Sequence, residues 1–577
     1  VRAVWLLPAL AALPLAACAP AGAAGGTTWH VDFAAGDDNR DGRTPATAWK
    51  HAPGDEAATG RPAGTTLAPG DRVLFRAGVP YRGSIRLRAT GTAEAPIVYT
   101  GRGWGAGMAI IDGSDPVTAS RPCRDAADCA GAANWPQLTR IEHAPPATSR
   151  IVLFGATGMY FASMVPALPE PFFGSDRRNF APVPKDERAH LEAGRLRVPA
   201  LVAAARSGGQ VEVALWVKPN QVERRPVLGI EGDAIRFDPQ GLLFYETRDS
   251  AAAVEGSIAG LTAPGTFAAV RPGLIIAWLR PGEKADQLAV GSGRMGFTLG
   301  RSQHVRIEGF DFRNFAGSRD NRREGRAVTS LGPGASAIEV VGNRFGPAWY
   351  EHGSGMVHLQ GTNGFRFAAN RMTDVFGAGF RAGGSRPSDL VIEGNRLHRI
   401  GKTAIGLLGV DRAVVRHNVL TDVRGVHGNG ITLYTSNRDI RVEGNCVTAS
   451  SRPLTFSGDR DPETANGLRI VGNILVSSPT GQAAINSWGS RATDIRIEGN
   501  LLAGPRAGLL LNEGDRRVVV RGNDVTRIAR AEPPGDGWVI ADNNPIDYRE
   551  AAGVTVADDG CVASAGRLRL VTTRKGI

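Results

Sequence analysis

GVHGNGITLYTSNRDIRVEGN, residues 425–445, contains two short runs of alternating apolar residues, GITLY and DIRVEG, separated by turn-forming residues. Alternation with period two is the signature of a strand with one buried face. The stretch closes on Gly444-Asn445, and the same closing pattern, apolar-x-apolar-x-x-Asn-x-apolar, recurs along the chain.

The repeats read IEVVGNRF, FRFAANRM, LVIEGNRL, AVVRHNVL, IRVEGNCV, LRIVGNIL, IRIEGNLL and VVVRGNDV, with asparagines at 343, 370, 395, 418, 445, 473, 500 and 523. Their spacings are 27, 25, 23, 27, 28, 27 and 23 residues. HVRIEGFDF (304–312) opens the series with Phe310 in the asparagine position. A period of this size means a solenoid. Each repeat has room for strand-like pieces and turns and none for an amphipathic helix. A leucine-rich repeat shares the period, but it needs more leucine than these Val/Ile-rich segments supply. The fold expected is all-β, a right-handed parallel β-helix whose coils stack at about 4.8 Å. In that setting the asparagine turns inward at a corner and bonds to the next coil, and the glycine before it supplies an unusual backbone angle. The Gly-Asn pair is therefore structural and carries no chemistry.

The chain has 577 residues, 42% apolar, 6% aromatic and 75 glycines, a balance that favours turns over large helical cores. The formal net charge is +11, and only six of the 67 basic residues are lysine (50, 185, 218, 284, 402 and 575). No basic run is interleaved with aromatics, which argues against nucleic acid. A diffuse positive field suits an acidic polymer such as a polyuronate.

Arg2 and Ala3 are followed by the apolar run VWLLPALAALPLAAC, ending at Cys18. This reads as a secretory signal and is short for a membrane span. Leu15-Ala16-Ala17-Cys18 resembles the bacterial lipobox. That resemblance implies cleavage before a lipid-modified Cys18 and, with Ala19 following, anchoring in the outer membrane of the cell envelope. APAGAAGG (19–26) is then a tether. The alternative is a soluble periplasmic protein. An oxidising compartment favours a disulfide between Cys123 and Cys129 over a metal site, while Cys446, inside a strand pattern, reads as a buried small hydrophobe.

Two N-terminal segments, WHVDFAAGDDNRDGRTPATAWK (29–50) and LAPGDRVLFRAGVPYRGSIRLRATGTAEAPIVYTG (67–101), resemble the opening of secreted β-helix carbohydrate-active proteins. These are the pectate, alginate and chondroitin lyases and some glycoside hydrolases. LTAPGTFAAVRPGLIIAWLRPGEKADQLAVG (261–291) resembles the β-rich insert that some of them carry. The resemblance spans most of 27–540 and implies action on a carbohydrate polymer. Asp37-x-Asn39-x-Asp41-Gly42 matches the start of a calcium loop, but the twelfth position is Ala48 in place of an acid. A turn at the N-terminal cap is the better reading, and Ca²⁺ stays an alternative. The layout expected is signal 1–18, tether 19–26, cap and first coils 27–120, a β-rich insert 121–300 including VEVALWVKPN and AIRFDPQGLLFYE, the main helix 301–540, and a tail 541–577 over its open end, in a monomer.

Aligning coils on Val328, Met356, Phe380, Ile405, Ile431 and Leu454 places Glu324, His352, Phe376, Gly401, His427 and Ser450 in one column. Lys402 lies one step away, Arg381 and Tyr434 point outward from the following strand, and Tyr350 and Glu351 flank His352. A lysine loses its proton where an arginine cannot, which suits a general base. β-Elimination from a uronate uses such a group: Lys402 or His427 as base, Arg381 on the carboxylate, Tyr434 or His352 as acid, and Phe376 stacked on a sugar. The resemblance implies a Lys or Arg base, sometimes with calcium. A glycoside hydrolase is the competing class; it needs two carboxylates, of which Glu324 and Glu351 form the best pair and Asp374 and Asp411 another. A non-catalytic glycan-binding surface lipoprotein is the third.

Overall fold

The computed structural model describes residues 25–143, 151–168, 177–218, 221–244, 249–317, 325–350, 355–458, 466–489, 491–530, 537–557, 560–563 and 569–571. Cys18, Glu324, Glu351 and His352 lie outside these residues. Among the described residues no helix is long and apolar enough to cross a membrane.

The chain is a right-handed parallel β-helix. Each coil contributes one strand to each of three parallel sheets, numbered here in the order the chain visits them. Among the described residues sheet 1 has 13 strands, sheet 2 has 14 and sheet 3 has 11. In the coil of the opening stretch, Asp411–Arg416 belongs to sheet 1, Val419–Val423 to sheet 2 and Asn429–Tyr434 to sheet 3. Side chains facing inward stack coil on coil: Phe365, Leu390, Ala413 and Ile440 from sheet 1, and Phe380, Ile405, Ile431 and Leu454 from sheet 3, all at most 2% exposed. Toward the N-terminal end the interior is aromatic, with Phe312 stacked on Phe345 at 4.8 Å; further on it is aliphatic.

The corner between sheets 1 and 2 is closed by the asparagines. Asn445 is fully buried; its Nδ2 donates to Val415 O (2.8 Å) and Asn473 Oδ1 (2.9 Å), and its Oδ1 accepts from Asn418 N (3.0 Å) and Nδ2 (2.9 Å). The ladder runs from the Phe310 amide, which donates to Asn343 Oδ1, through all eight repeats to Asn543. The residue before each asparagine has positive φ, as at Gly444 (59°); Ala369 (54°) and His417 (54°) take the same conformation without being glycine. A shorter ladder at the corner between sheets 3 and 1 uses Asn437 and Asn466.

Two features differ from the sequence reading. Cys446 is buried but disulfide-bonded to Cys561. Cys561, Ala551, Ile546, Tyr548 and Val554 pack on Val419, Cys446, Ile474 and Leu501, the outward residues that open successive strands of sheet 2. From Ile546 onward the described part of the tail therefore packs along the side of the solenoid. The same outward column holds Arg344, Arg371 and Arg396 in the earlier, uncovered coils. A switch from arginine to apolar residues marks where the tail lies.

The insert leaves and rejoins the solenoid at one corner. Ala109–Asp112 pairs within sheet 2 and Phe297–Thr298 within sheet 3, so the intervening residues expand a single turn between those sheets. They fold into mainly antiparallel sheets with separate cores, and a disulfide joins Cys123 to Cys129. The insert then packs on the equivalent corners of later coils, through Val152, Phe154 and Met159 on Ala316 and Trp349, and through Met164, Phe180 and Trp216 on Val426. Asp37 and Asp41 accept the backbone N–H of Asn39 (2.9 Å) and Arg43 (3.0 Å), a turn-forming role.

Two outcomes are expected. Asn445→Ala strands several buried polar groups and lowers unfolding stability by about 3 kcal/mol, measured by denaturant titration. The Cys446–Cys561 bridge closes a loop of 115 residues, for which chain entropy gives about 5 kcal/mol. Reduction followed by limited proteolysis should remove the C-terminal segment while the solenoid survives.

Candidate functional site

The outer face of sheet 3 gathers most of the described candidate residues. One outward column reads Thr329, His358, Arg381, Gly406, Thr432, Thr455, Asn486 and Leu510 in consecutive coils. A second column, two residues further along the strands, includes Gln360, Gly383, Leu408 and Tyr434. Gly383 and Gly406 leave the floor low between bulkier neighbours. A cavity of about 600 Å³ opens here, lined by Arg326, His358, Arg381 and Arg386 among others; its described lining contains no carboxylate.

Toward the N-terminal side, Arg326 and Arg381 flank His358. Burial first, then these two cations, hold the His358 imidazole down at about 2, so it is neutral at working pH. Its Nδ1 has no hydrogen-bond partner among the described residues.

Further along, Lys402 and His427 occupy the corner before sheet 3 in adjacent coils, as the column alignment expects. A tight turn places His427 at φ 56°, with Asn429 N donating to the His427 carbonyl at 2.6 Å. Burial, followed by the charges of Lys402 and Arg452, holds His427 down at about 4. Asn429 and Arg452 are register partners. Asn429 Nδ2 donates to Thr432 Oγ1 (3.2 Å) and Thr455 Oγ1 (3.4 Å), leaving Asn429 Oδ1 without a partner although fully buried. Tyr434 adjoins this group: burial raises its phenol, against which Thr455, Arg452 and Asn429 act in the lowering direction. It is therefore a protonated hydroxyl donor at neutral pH.

Thus Lys402 and His427 come together, and Tyr434 shares with His427 the neighbouring Arg452. Arg381 sits two coils from Thr432, about 10 Å along the axis, and joins His358 instead. The arginine beside His427 is Arg452. The register also corrects one coil: Val357, not Met356, aligns with Val328 and Phe380. That one-residue slip hid His358, which directly precedes Arg381 in its column. Arg452, two residues before Leu454, falls between the column four residues before each aligned strand residue and the outward positions that single out Arg381 and Tyr434.

Phe376 faces protein. It stacks on Trp349 (centroids 5.8 Å, planes 8° apart) and meets Phe161 of the insert edge-on at 6.3 Å. It fastens the insert to the solenoid. Tyr350 is buried and donates to Gly325 O at 2.8 Å, a structural bond. Asp374 accepts from Arg399 Nε at 2.7 Å, and Asp411 from Arg386 Nε at 3.1 Å. Among the described residues no group of three or more His, Cys, Asp or Glu is placed to hold a metal ion.

Residues 289–447 match the sequence profile of the family described as "Right handed beta helix region". Among solved structures, one named "Glycoside hydrolase" superimposes with TM-score 0.55 at 13% identity, over 90% of this chain and 97% of that one. The complex of XylC with xylose gives TM-score 0.48 at 11% identity over 92% of this chain and 88% of that one. An alginate lyase from Paenibacillus sp. gives 0.20 at 14% identity over 42% and 92%. Likeness at this identity establishes the fold. Comparison with curated protein sequences returned no match.

The electrostatics give a direct check. The depressed His427 value implies a neutral imidazole down to about pH 4. Replacing Lys402 with Met removes a positive neighbour that disfavours the imidazolium, so the His427 pKa should rise toward its ordinary value. Titration of the His427 ring resonances by NMR measures this.

Proposed function

We propose that the protein is a polysaccharide-acting enzyme, and specifically a lyase that cleaves a uronate-containing polymer by β-elimination. The observation that carries this reading is the outer face of sheet 3, where a neutral histidine and a tyrosine lie among Lys402 and Arg452 with further arginines alongside. Neutral His427 removes the proton on the carbon bearing the carboxylate. The electron pair forms the new carbon–carbon double bond as the bond to the glycosidic oxygen breaks. That oxygen takes a proton from Tyr434. Negative charge grows on the carboxylate in the transition state, and Lys402 and Arg452 are the cations placed to stabilise it. An arriving carboxylate also offsets the field of those cations at His427 and raises its basicity when the base is needed. Lys402 is the alternative base. Arg381, with His358, is placed for a neighbouring acidic sugar.

Hydrolysis is the second reading, favoured by the likeness over nearly the whole chain to a solved structure named "Glycoside hydrolase". It requires two carboxylates. The described candidates, Asp374 and Asp411, are engaged by arginines, so it would rest on Glu324 and Glu351. Export to the cell envelope through Cys18 belongs to the same proposal; two disulfides in the folded chain support an oxidising setting.

The test is incubation with pectate, alginate and glycosaminoglycans while ultraviolet absorbance follows unsaturated uronate ends. One polymer should give a rise, His427→Ala should lower kcat at least about 100-fold, and Glu324→Gln with Glu351→Gln should leave most activity. New reducing ends without unsaturation, abolished by the glutamate variants, would overturn elimination in favour of hydrolysis. Retention of polymer with no turnover would favour a binding protein.

A further inference from the structure

Trp488 is 46% exposed, and among the described residues it is the one exposed aromatic side chain. It directly follows the sheet 3 strand Ala483–Ser487, and its backbone N donates to Phe456 O at 2.9 Å. Ser457 N donates likewise to Leu433 O, so Tyr434, Ser457 and Trp488 continue the column of Leu408 in successive coils. Trp488 is therefore two coils beyond Tyr434, about 10 Å along the axis. The Arg452 guanidinium lies 5.1 Å over its ring and is steadied by Arg452 Nε donating to Gln482 Oε1 at 3.2 Å. Asn486 Oδ1, in the outward column two residues before Trp488, and Asn429 Oδ1, at the start of the Tyr434 strand, accept no hydrogen bond among the described residues, although these side chains are 2% and 0% exposed. Buried carbonyl oxygens normally have a donor. An exposed indole, a cation and two unsatisfied acceptors in a row match what a sugar ring offers: an apolar face of C–H groups, an acidic substituent and hydroxyl donors.

We infer that Trp488 and Asn486 form a sugar subsite for an anionic pyranose, uronate or sulfated, lying toward the C-terminal end of the solenoid from the reacting unit, with Asn429 at the junction between the two. The inference rests on the proposed reading of sheet 3 as the glycan-binding face and extends it. The polymer runs along the solenoid axis, from His358 and Arg381, past His427 and Tyr434, to Trp488. Arg452 serves both the reacting unit and this subsite, which couples occupancy of the two.

The test uses the full chain carrying His427→Ala, so that binding is read without turnover, in affinity electrophoresis through gels containing pectate, alginate, chondroitin sulfate or neutral xylan. At least one acidic polymer should retard the protein, pectate or alginate indicating a carboxylate and chondroitin sulfate alone a requirement for sulfate. Adding Trp488→Ala should weaken that retardation about tenfold, Trp488→Phe should restore most of it, and the thermal midpoint should not move. Undiminished retardation of the Trp488→Ala protein would overturn the subsite while leaving the lyase reading intact. Equal retardation by xylan would overturn its preference for an anionic sugar. Retardation by none of the polymers, with unsaturated product still formed by the protein retaining His427, would overturn the subsite alone; absence of both would overturn the two together.

Discussion

Everything in this molecule depends on satisfying a buried polar corner once per coil. A chain that turns inward between two sheets brings peptide groups into a dry interior, and each must find a partner. The asparagine ladder does this with one side chain per coil, bonding to the coil before and the coil after. Because the bonds run between coils, they also fix register. A slip by one residue would break the ladder and turn every strand over.

Register is what converts a repeat into a site. With the ladder fixed, residues that are 23 to 31 positions apart in the chain become strand neighbours, as Thr432 and Thr455 or Thr455 and Asn486 do. Cations concentrated on one outer face then act on shared neighbours: Arg326 and Arg381 on His358, Lys402 and Arg452 on His427. Elsewhere on the solenoid arginines bond to carboxylates of the neighbouring coil, as Arg366 does to Glu393 and Arg412 to Asp389. That alternation is the ordinary way to cover a solenoid surface. The face of sheet 3 departs from it, and the departure motivates an acidic ligand.

The fold was legible in the sequence because the ladder is written one letter per coil, with a glycine beside it at most corners. The Lys402–His427 pairing was legible for the same reason: the corner spacing is regular there. What escaped was anything set by contacts between distant segments. Cys446 reads as a core residue until the tail is folded along sheet 2, and Phe376 reads as a sugar platform until the insert is docked on it. His358 was lost to a single-residue offset in one coil. Trp488 lies one coil beyond Leu454, where a long turn interrupts the corner spacing that makes the central coils legible.

The most direct measurement is a crystal structure of the His427→Ala protein soaked with an acidic oligosaccharide. The account predicts a chain of sugar density along the outer face of sheet 3, with a carboxylate between Lys402 and Arg452 and the glycosidic oxygen within hydrogen-bonding reach of Tyr434. Sugar bound across another face, or on sheet 3 with its reacting bond between two glutamates and away from Tyr434, would contradict it.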